Sequence, residues 1–220
     1  MNEKYYLYSD IKEIVDNLKK YHSKLYGKKF FVTGANGFLG KYFIKVITEI
    51  NKKTNNKIKV LANDIKFDNC EIFNDKNVKI IKKDVNKIKK FNYNCDFILH
   101  AAGIPSPKNY YKKPIETIFT SITSTKNLLE YSSKIKSKFI FFSSSEIYGN
   151  PDKKNIPTKE TYNGNVSSIE DRSCYDEGKR VGETLCSFYP IKQKVDVAIF
   201  RLFNVFGPGM PKNDYRVFPR

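Results

Sequence analysis

The sequence predicts an α/β fold: a doubly wound parallel sheet with helices on both faces, preceded by an N-terminal helix. Three observations predict it. Short apolar runs alternate with longer amphipathic runs from Lys28 onward, the pattern of a parallel sheet whose crossovers are helices. The first pair of runs is joined by a glycine triplet, Gly34, Gly37 and Gly40, in "VTGANGFLG". The second strand run ends on an acid, Asp64.

The elements follow in order. Residues 10–26, "DIKEIVDNLKKYHSKLY", read as an amphipathic helix with Ile11, Ile14, Val15, Leu18 and Leu25 on one stripe. Asp10 with Glu13 makes a capping box and Gly27 ends the helix. It is an appendage, residues 1–27, packing on the domain or on a second subunit. "KFFVTG" is a buried strand, followed by the helix "FLGKYFIKVITEI". "KIKVLAND", "VKIIKKDV" and "CDFILHAAG" are strands two to four. "PIETIFTSITSTKNLLEYSSKI" is a long helix with proline in its first turn. "SKFIFFSSS" is strand five, "YDEGKRVGETLCSFY" a further helix and "DVAIFRLFNVFG" strand six. The polar stretch 149–173 is long enough for a functional loop. No internal repeat and no low-complexity linker appears, so residues 28–220 read as one dinucleotide-binding domain.

Composition bounds the function. A chain of 220 residues with 40% hydrophobic and 15% aromatic content buries a real core. No apolar run reaches transmembrane length, and "MNEKYYLYSD" lacks a basic head with an apolar middle. A cytoplasmic location without membrane contact is expected. Cys70, Cys95, Cys174 and Cys186 form no C-x-x-C pair and read as free thiols. His22 and His100 are the only histidines, so no metal site is expected. The net charge of +17 fits either nucleic-acid binding or attraction of a polyanionic small substrate. Its lysines are dispersed rather than blocked, which favours solvated faces with substrate attraction and no nucleic acid.

The glycine triplet has a chemical reading. Glycines permit a sharp turn, close approach of backbone to a pyrophosphate and tight helix packing, while the helix start at Phe38 and Leu39 offers unpaired N–H groups. Asp64 accepts from the adenosine ribose hydroxyls and repels a 2′-phosphate, which favours NAD over NADP. Strand, glycine turn, helix and acid-tipped strand make a Rossmann-type unit, whose sheet order is 3-2-1-4-5-6. Asp84, with Val85 after it, either meets the adenine amino group or is a surface acid. Ala101 and Gly103 are small enough for backbone to lie along the cofactor. His100 reads as a packed strand-end histidine.

A second cluster lies downstream. Tyr175 and Lys179 stand one helical turn apart. A phenol with a pKa of ~10 is a poor base at neutral pH, and a nearby ammonium lowers that value. Ser144, at a strand end, positions the reacting oxygen. Glu146, two residues on, either handles a further proton beside C4 of a sugar or forms a salt bridge to a lysine.

Together these residues resemble the extended short-chain dehydrogenase/reductase superfamily of sugar-nucleotide epimerases and dehydratases. Within it the likeness is to the UDP-glucuronate decarboxylases, also called UDP-xylose synthases. The resembling stretches are "TGANGFLG", "HAAGIPSPKNYYKKPIETI", "SSSEIYGNP", "SCYDEGKRVGETLC" and "RLFNVFGPGMPKNDYRV". The resemblance implies a cycle in which the sugar is oxidised at C4 by NAD, loses carbon dioxide from C5 and is reduced again. It implies that Ser144, Glu146, Tyr175 and Lys179 carry the chemistry, that Thr120 and Arg216 contact NAD, and that Asn127 and Asn204 lie on the sugar-nucleotide side. Asn204 otherwise caps strand six, and Arg216 is otherwise a surface cation. It also implies a homodimer built on the helices around residues 114–133 and 175–189.

The sequence departs from that family in places. "HAAG" replaces an "HLAS"-like segment, Gly209 a basic residue and Tyr215 a glycine. Ser145 precedes Glu146 where dehydratases carry an aspartate, which argues against 4,6-dehydration. Family members continue for roughly a hundred further residues, about one domain, so most of the C-terminal substrate domain is expected to be missing. Three other functions compete: a 4,6-dehydratase or 4-epimerase on the same scaffold, an NAD-binding module without turnover, and, weakest, a basic nucleic-acid binder.

Overall fold

A computed structural model describes residues 5–88 and 91–210. Six parallel strands form one sheet: β1 (Lys29–Thr33), β2 (Lys59–Asp64), β3 (Val78–Lys82), β4 (Phe97–His100), β5 (Lys138–Ser144) and β6 (Asp196–Leu202). Their order is β3-β2-β1-β4-β5-β6, as the glycine-turn unit predicts. The order reverses between β1 and β4, where Thr33 stands opposite both Asn63 and His100. That reversal opens a crevice at the carboxyl ends of the strands.

Successive residues of each central strand point to opposite faces. Phe30, Val32, Val60, Ala62 and Leu99 pack with Ile44, Ile47 and Ile50 of helix α3 (Phe38–Asn51) on one face. Phe31, Leu61, Ile98, Phe139 and Phe141 pack on the other with Leu128 and Leu129 of the long helix (Pro114–Ile135), and with Cys186 of the last helix (Ser173–Gln193). The short α1 (Tyr8–Asn17), α2 (His22–Leu25) and α4 (Pro107–Tyr110) make those two long helices α5 and α6.

The N-terminal segment differs from its expectation. The predicted continuous helix is broken into α1, a 3-10 turn at Lys19–Tyr21 and α2. The break lets His22 fold back, so that its Nε2 lies 3.0 Å from the carbonyl of Val15 and satisfies an end group of α1. No Asp10–Glu13 capping box forms, because α1 starts earlier, with Leu7 at its N-cap. Asp10 instead accepts from the Tyr42 hydroxyl at 3.1 Å. Ile11 and Val15 are buried against α3, Ile14 is exposed, and Gly27 leaves α2 at φ +75. The sixth strand stops at Leu202 rather than running on to Gly207.

Candidate active site

At the C-terminal rim of β1 the chain turns at Gly34 with φ +69, where a Cβ would stand 2.7 Å from the carbonyl oxygen of Ala101. Only glycine fits that conformation and that space. At Gly40, in the first turn of α3, a side chain would strike the carbonyl of Gly34, so the helix lies directly on the turn. Gly37 is the N-cap of α3, with no side-chain cap bond. A Cβ there meets one protein atom, the Gly34 oxygen at 3.1 Å. An uncapped helix start, with Phe38 and Leu39 its first residues, beside open space is what an anionic group requires. Asp64 lies at the adjacent rim. Its Oδ2 accepts the Asn36 N–H at 2.9 Å and its Oδ1 the Ile65 N–H at 2.7 Å. Burial pushes this carboxyl up, against those N–H groups. Each oxygen keeps acceptor capacity for a ribose hydroxyl. The residues present therefore fit NAD.

The adenine-side residues resolve differently. Asp84 caps the 3-10 turn Val85–Lys87, accepting the Asn86 N–H at 2.9 Å. The Val85 side chain belongs to the core between sheet and α5. Asn86, which sequence reasoning missed, joins this turn to α5 by donating to Thr120 at 3.2 Å, and its own Oδ1 is buried without a partner. Asn127 sits seven residues beyond Thr120, roughly 10 Å further down the helix axis and away from the strand ends. Asn204 is exposed two residues past Leu202, which pairs with Ser144, so it stands on the same rim. Arg216 lies outside the described residues.

The strand-four exit joins cradle to catalytic pair. Ala101 faces Gly34, and a Cβ on Gly103 would stand 3.9 Å from Lys179 Nζ. Lys179 is held there because α6 lies close on β5: at Gly182 a Cβ would come within 2.5 Å of the Phe141 ring. Its ammonium donates to the carbonyl of Phe142 at 2.7 Å and lies 5.8 Å from the Tyr175 ring centroid. Burial pushes this lysine down to about 8. Tyr175 stacks on Tyr110 at 5.6 Å, a second residue that the sequence did not reveal. Ser144 ends β5 and caps the turn Ser145–Tyr148 by accepting the Glu146 N–H at 3.3 Å. His100 is packed, as expected. Thr33 Oγ1 and Ser124 Oγ lie 2.8 and 2.9 Å from its ring nitrogens, and burial pushes the imidazole down to about 3.

Glu146 is ion-paired with Arg172, the residue preceding α6, and not with a lysine. Both line a cavity of about 380 Å³ with Asn165, Ser167 and Asp176. Burial pushes the Asp176 carboxyl up to about 7 although the Arg172 charge opposes it, and its Oδ1 has no hydrogen-bond partner. Two further arginines pin the long loop across this corner. Arg180 donates to the carbonyls of Ile147 and Asn163 at 3.0 and 2.8 Å. Arg201 of β6 holds Glu183, the Tyr148 hydroxyl and the carbonyl of Glu160. Among the described residues no His, Cys, Asp and Glu cluster suits a metal ion, and no helix is long and apolar enough to cross a membrane.

Comparison with known proteins adds three findings. The model of the NAD dependent epimerase/dehydratase family matches residues 30–220. UDP-glucuronic acid decarboxylase 1 of Xenopus tropicalis is 35% identical over 201 residues, covering 90% of this chain and 46% of its own length. The Arabidopsis thaliana protein of the same name is 36% identical over 197 residues, covering 86% of this chain and 42% of its own. This chain thus spans less than half the length of these relatives. The crystal structure of UDP-glucuronic acid 4-epimerase from Bacillus cereus, in complex with UDP-glucuronic acid and NAD, superposes with a TM-score of 0.65 at 25% identity. It covers 84% of this chain and 59% of that one.

Proposed function

We propose a function from one premise: the chain belongs to the NAD dependent epimerase/dehydratase family. It acts on a UDP-sugar, and the substrate that best suits the site is UDP-glucuronate, converted to UDP-xylose and carbon dioxide. The observation that carries this reading is the placement of Lys179: it lies beside Tyr175 and Gly103, and its ammonium is bound to the carbonyl of Phe142 in β5, the strand that ends on Ser144 and leads into the turn of Glu146. The names of the relatives support the decarboxylase over its neighbours in the family.

When bound, NAD supplies a hydride acceptor at C4 and returns the hydride at the end of the cycle, so it leaves unchanged. The backbone at Gly34, Gly37, Phe38, Leu39 and Gly40 would cradle its pyrophosphate, and Asp64 would take the ribose hydroxyls. Tyr175 accepts the proton of the C4 hydroxyl as the C4–H bond breaks. Lys179, cationic at neutral pH, stabilises the phenolate that remains to do so. Ser144 donates to the reacting oxygen. The resulting 4-ketone stands β to the carboxylate borne by C5, so the C5–CO2 bond breaks and its electron pair becomes an enolate across C4 and C5. In this reading Glu146, held by Arg172, handles the proton that C5 regains. Tyr175 then returns its proton to the C4 oxygen.

The chain works as a homodimer through α5 and α6, whose Ile115, Phe119, Phe188 and Ile191 are exposed apolar side chains. Sedimentation of wild type beside Phe188→Asp tests this, with a lower mass expected for the variant.

The test of function is incubation with UDP-glucuronate and NAD, followed by mass analysis. UDP-xylose and carbon dioxide are the expected products. An unchanged mass with inverted C4 would point to a 4-epimerase, and loss of water to a dehydratase. NAD binding without any product would point to a module without turnover.

A further inference from the structure

The N-terminal segment reaches the cofactor cradle through one buried cation. Lys41 stands in the first turn of α3, and its side chain is 4% exposed. Its ammonium donates to the carbonyl of Asn36, inside the glycine turn, and to Asp68 Oδ2 at 2.9 Å. Asn36 closes the same circuit: its Oδ1 accepts the Asp68 N–H at 3.1 Å, and its N–H donates to Asp64 at 2.9 Å. The turn 34–37 and the segment 64–68, the two stretches that would meet the adenosine half of a dinucleotide, are thereby one hydrogen-bonded unit with Lys41 at its centre.

A cation in the first turn of a helix opposes the helix dipole, and its burial adds a desolvation cost. The compensation is specific. Asp68 and the Asn36 carbonyl supply charge-assisted hydrogen bonds, and the Tyr5 ring lies over the ammonium at 5.2 Å. Tyr5 is anchored on both sides. The neighbouring Tyr6 hydroxyl donates to Glu71 at 2.5 Å, and Glu71 also accepts from Lys45. The Tyr5 carbonyl abuts Gly209, where a side chain would overlap it. Nothing in the reaction uses Lys41, and neither the glycine triplet nor the acid-tipped strand requires it.

We propose that Lys41, roofed by Tyr5, is a positioning residue for the adenosine half of NAD, which makes the N-terminal segment part of the cofactor site. Lys41 fixes Asp64 and the glycine turn in the spacing that the ribose and pyrophosphate need before either arrives. This inference rests on the NAD dependence of the family, and is independent of which sugar is modified.

The experiment is calorimetric titration of NAD and of ADP into the full chain, with melting temperatures recorded in parallel. Lys41→Met is expected to weaken both ligands by the same factor, about tenfold for one lost charge-assisted bond. Lys41→Arg should recover most of that loss, and Tyr5→Ala should show a smaller loss of the same kind. Equal affinity in Lys41→Met with only a lower melting temperature would overturn the proposal, as would weakened NAD with unchanged ADP. If Lys41→Met does not fold, Asp68→Asn carries the test, because that side chain is 42% exposed. Unaltered NAD and ADP affinity in Asp68→Asn would then overturn it. A wild-type chain that binds neither ligand would overturn the NAD reading and this inference together.

Discussion

Arg172 binds the carboxylate of Glu146 from the position just ahead of α6, four residues before Asp176 on the same helix face. One guanidinium thus stands between two carboxyl groups. One of them, Glu146, is the group proposed to handle the C5 proton. Glu146→Gln should reduce UDP-xylose formation by at least ~100-fold, the usual contribution of a placed acid–base group. NAD affinity should stay within about twofold, far below one charge-assisted bond. Arg172→Leu should lower turnover while Arg172→Lys restores part of it. Steady-state kinetics and NAD titration check all three, and a parallel loss of NAD affinity would place Glu146 in binding rather than chemistry.

Asp176 gives a stability prediction with a sign. Its carboxyl is pushed up to about 7 in the folded chain, chiefly by burial. The groups facing it are Arg172, Glu170 and Glu177, with Glu146 across the cavity. A carboxyl raised above its unfolded value binds more protons folded than unfolded between the two values. Stability therefore falls as pH rises from about 4 to about 7, and stays reduced above that. Asp176→Asn removes the penalty. It should raise the stability above pH 7 and change it little near pH 4. Denaturant melts at the two pH values measure this, and an equal change at both would contradict it.

The sheet was legible because its strands are local signals: apolar runs, a glycine turn and an acid at a strand end. The residues that finish the site were not. Tyr110 reaches Tyr175 across 65 residues, Arg172 reaches Glu146 across 26, and Arg201 reaches Tyr148 across 53. No periodicity encodes such partners. They are chosen by how α6 lies on β5, which depends on the missing side chain of Gly182. The break in the N-terminal helix escaped for the same reason, since His22 is satisfied by a carbonyl seven residues back. Asn127 is a different case: its place was carried over by likeness, and it lies about two turns beyond Thr120 along α5.

The two cradle glycines separate binding from folding. At Gly37 an added Cβ meets only the Gly34 oxygen, at 3.1 Å. Gly37→Val should abolish measurable NAD binding and lower the melting temperature less than Gly40→Ala does. Gly40→Ala drives a methyl into the backbone of Gly34 and Ala35. It should cost about 1–3 kcal/mol of stability as overpacking, and NAD affinity should fall as a consequence. Calorimetry with and without NAD checks both. Normal NAD binding by Gly37→Val would remove the cradle from the cofactor site.

Lys179 yields opposite pH trends for activity and stability. Burial pushes it down to about 8 in the folded chain, below an unfolded value of ~10.4. Between these two values the folded chain binds fewer protons, so its stability rises with pH there, as the cost of burying a cation disappears. Turnover should move the other way. Below pH 8 the ammonium holds charge beside Tyr175 and favours phenolate, and above it that charge is lost. The expected profile of kcat falls through about pH 8 while the melting temperature does not. Lys179→Met should retain a low turnover whose pH profile no longer falls near pH 8, and Tyr175→Phe should lose turnover with NAD affinity intact. The discriminating result is the variant: a fall near pH 8 that survives in Lys179→Met would assign the titration elsewhere.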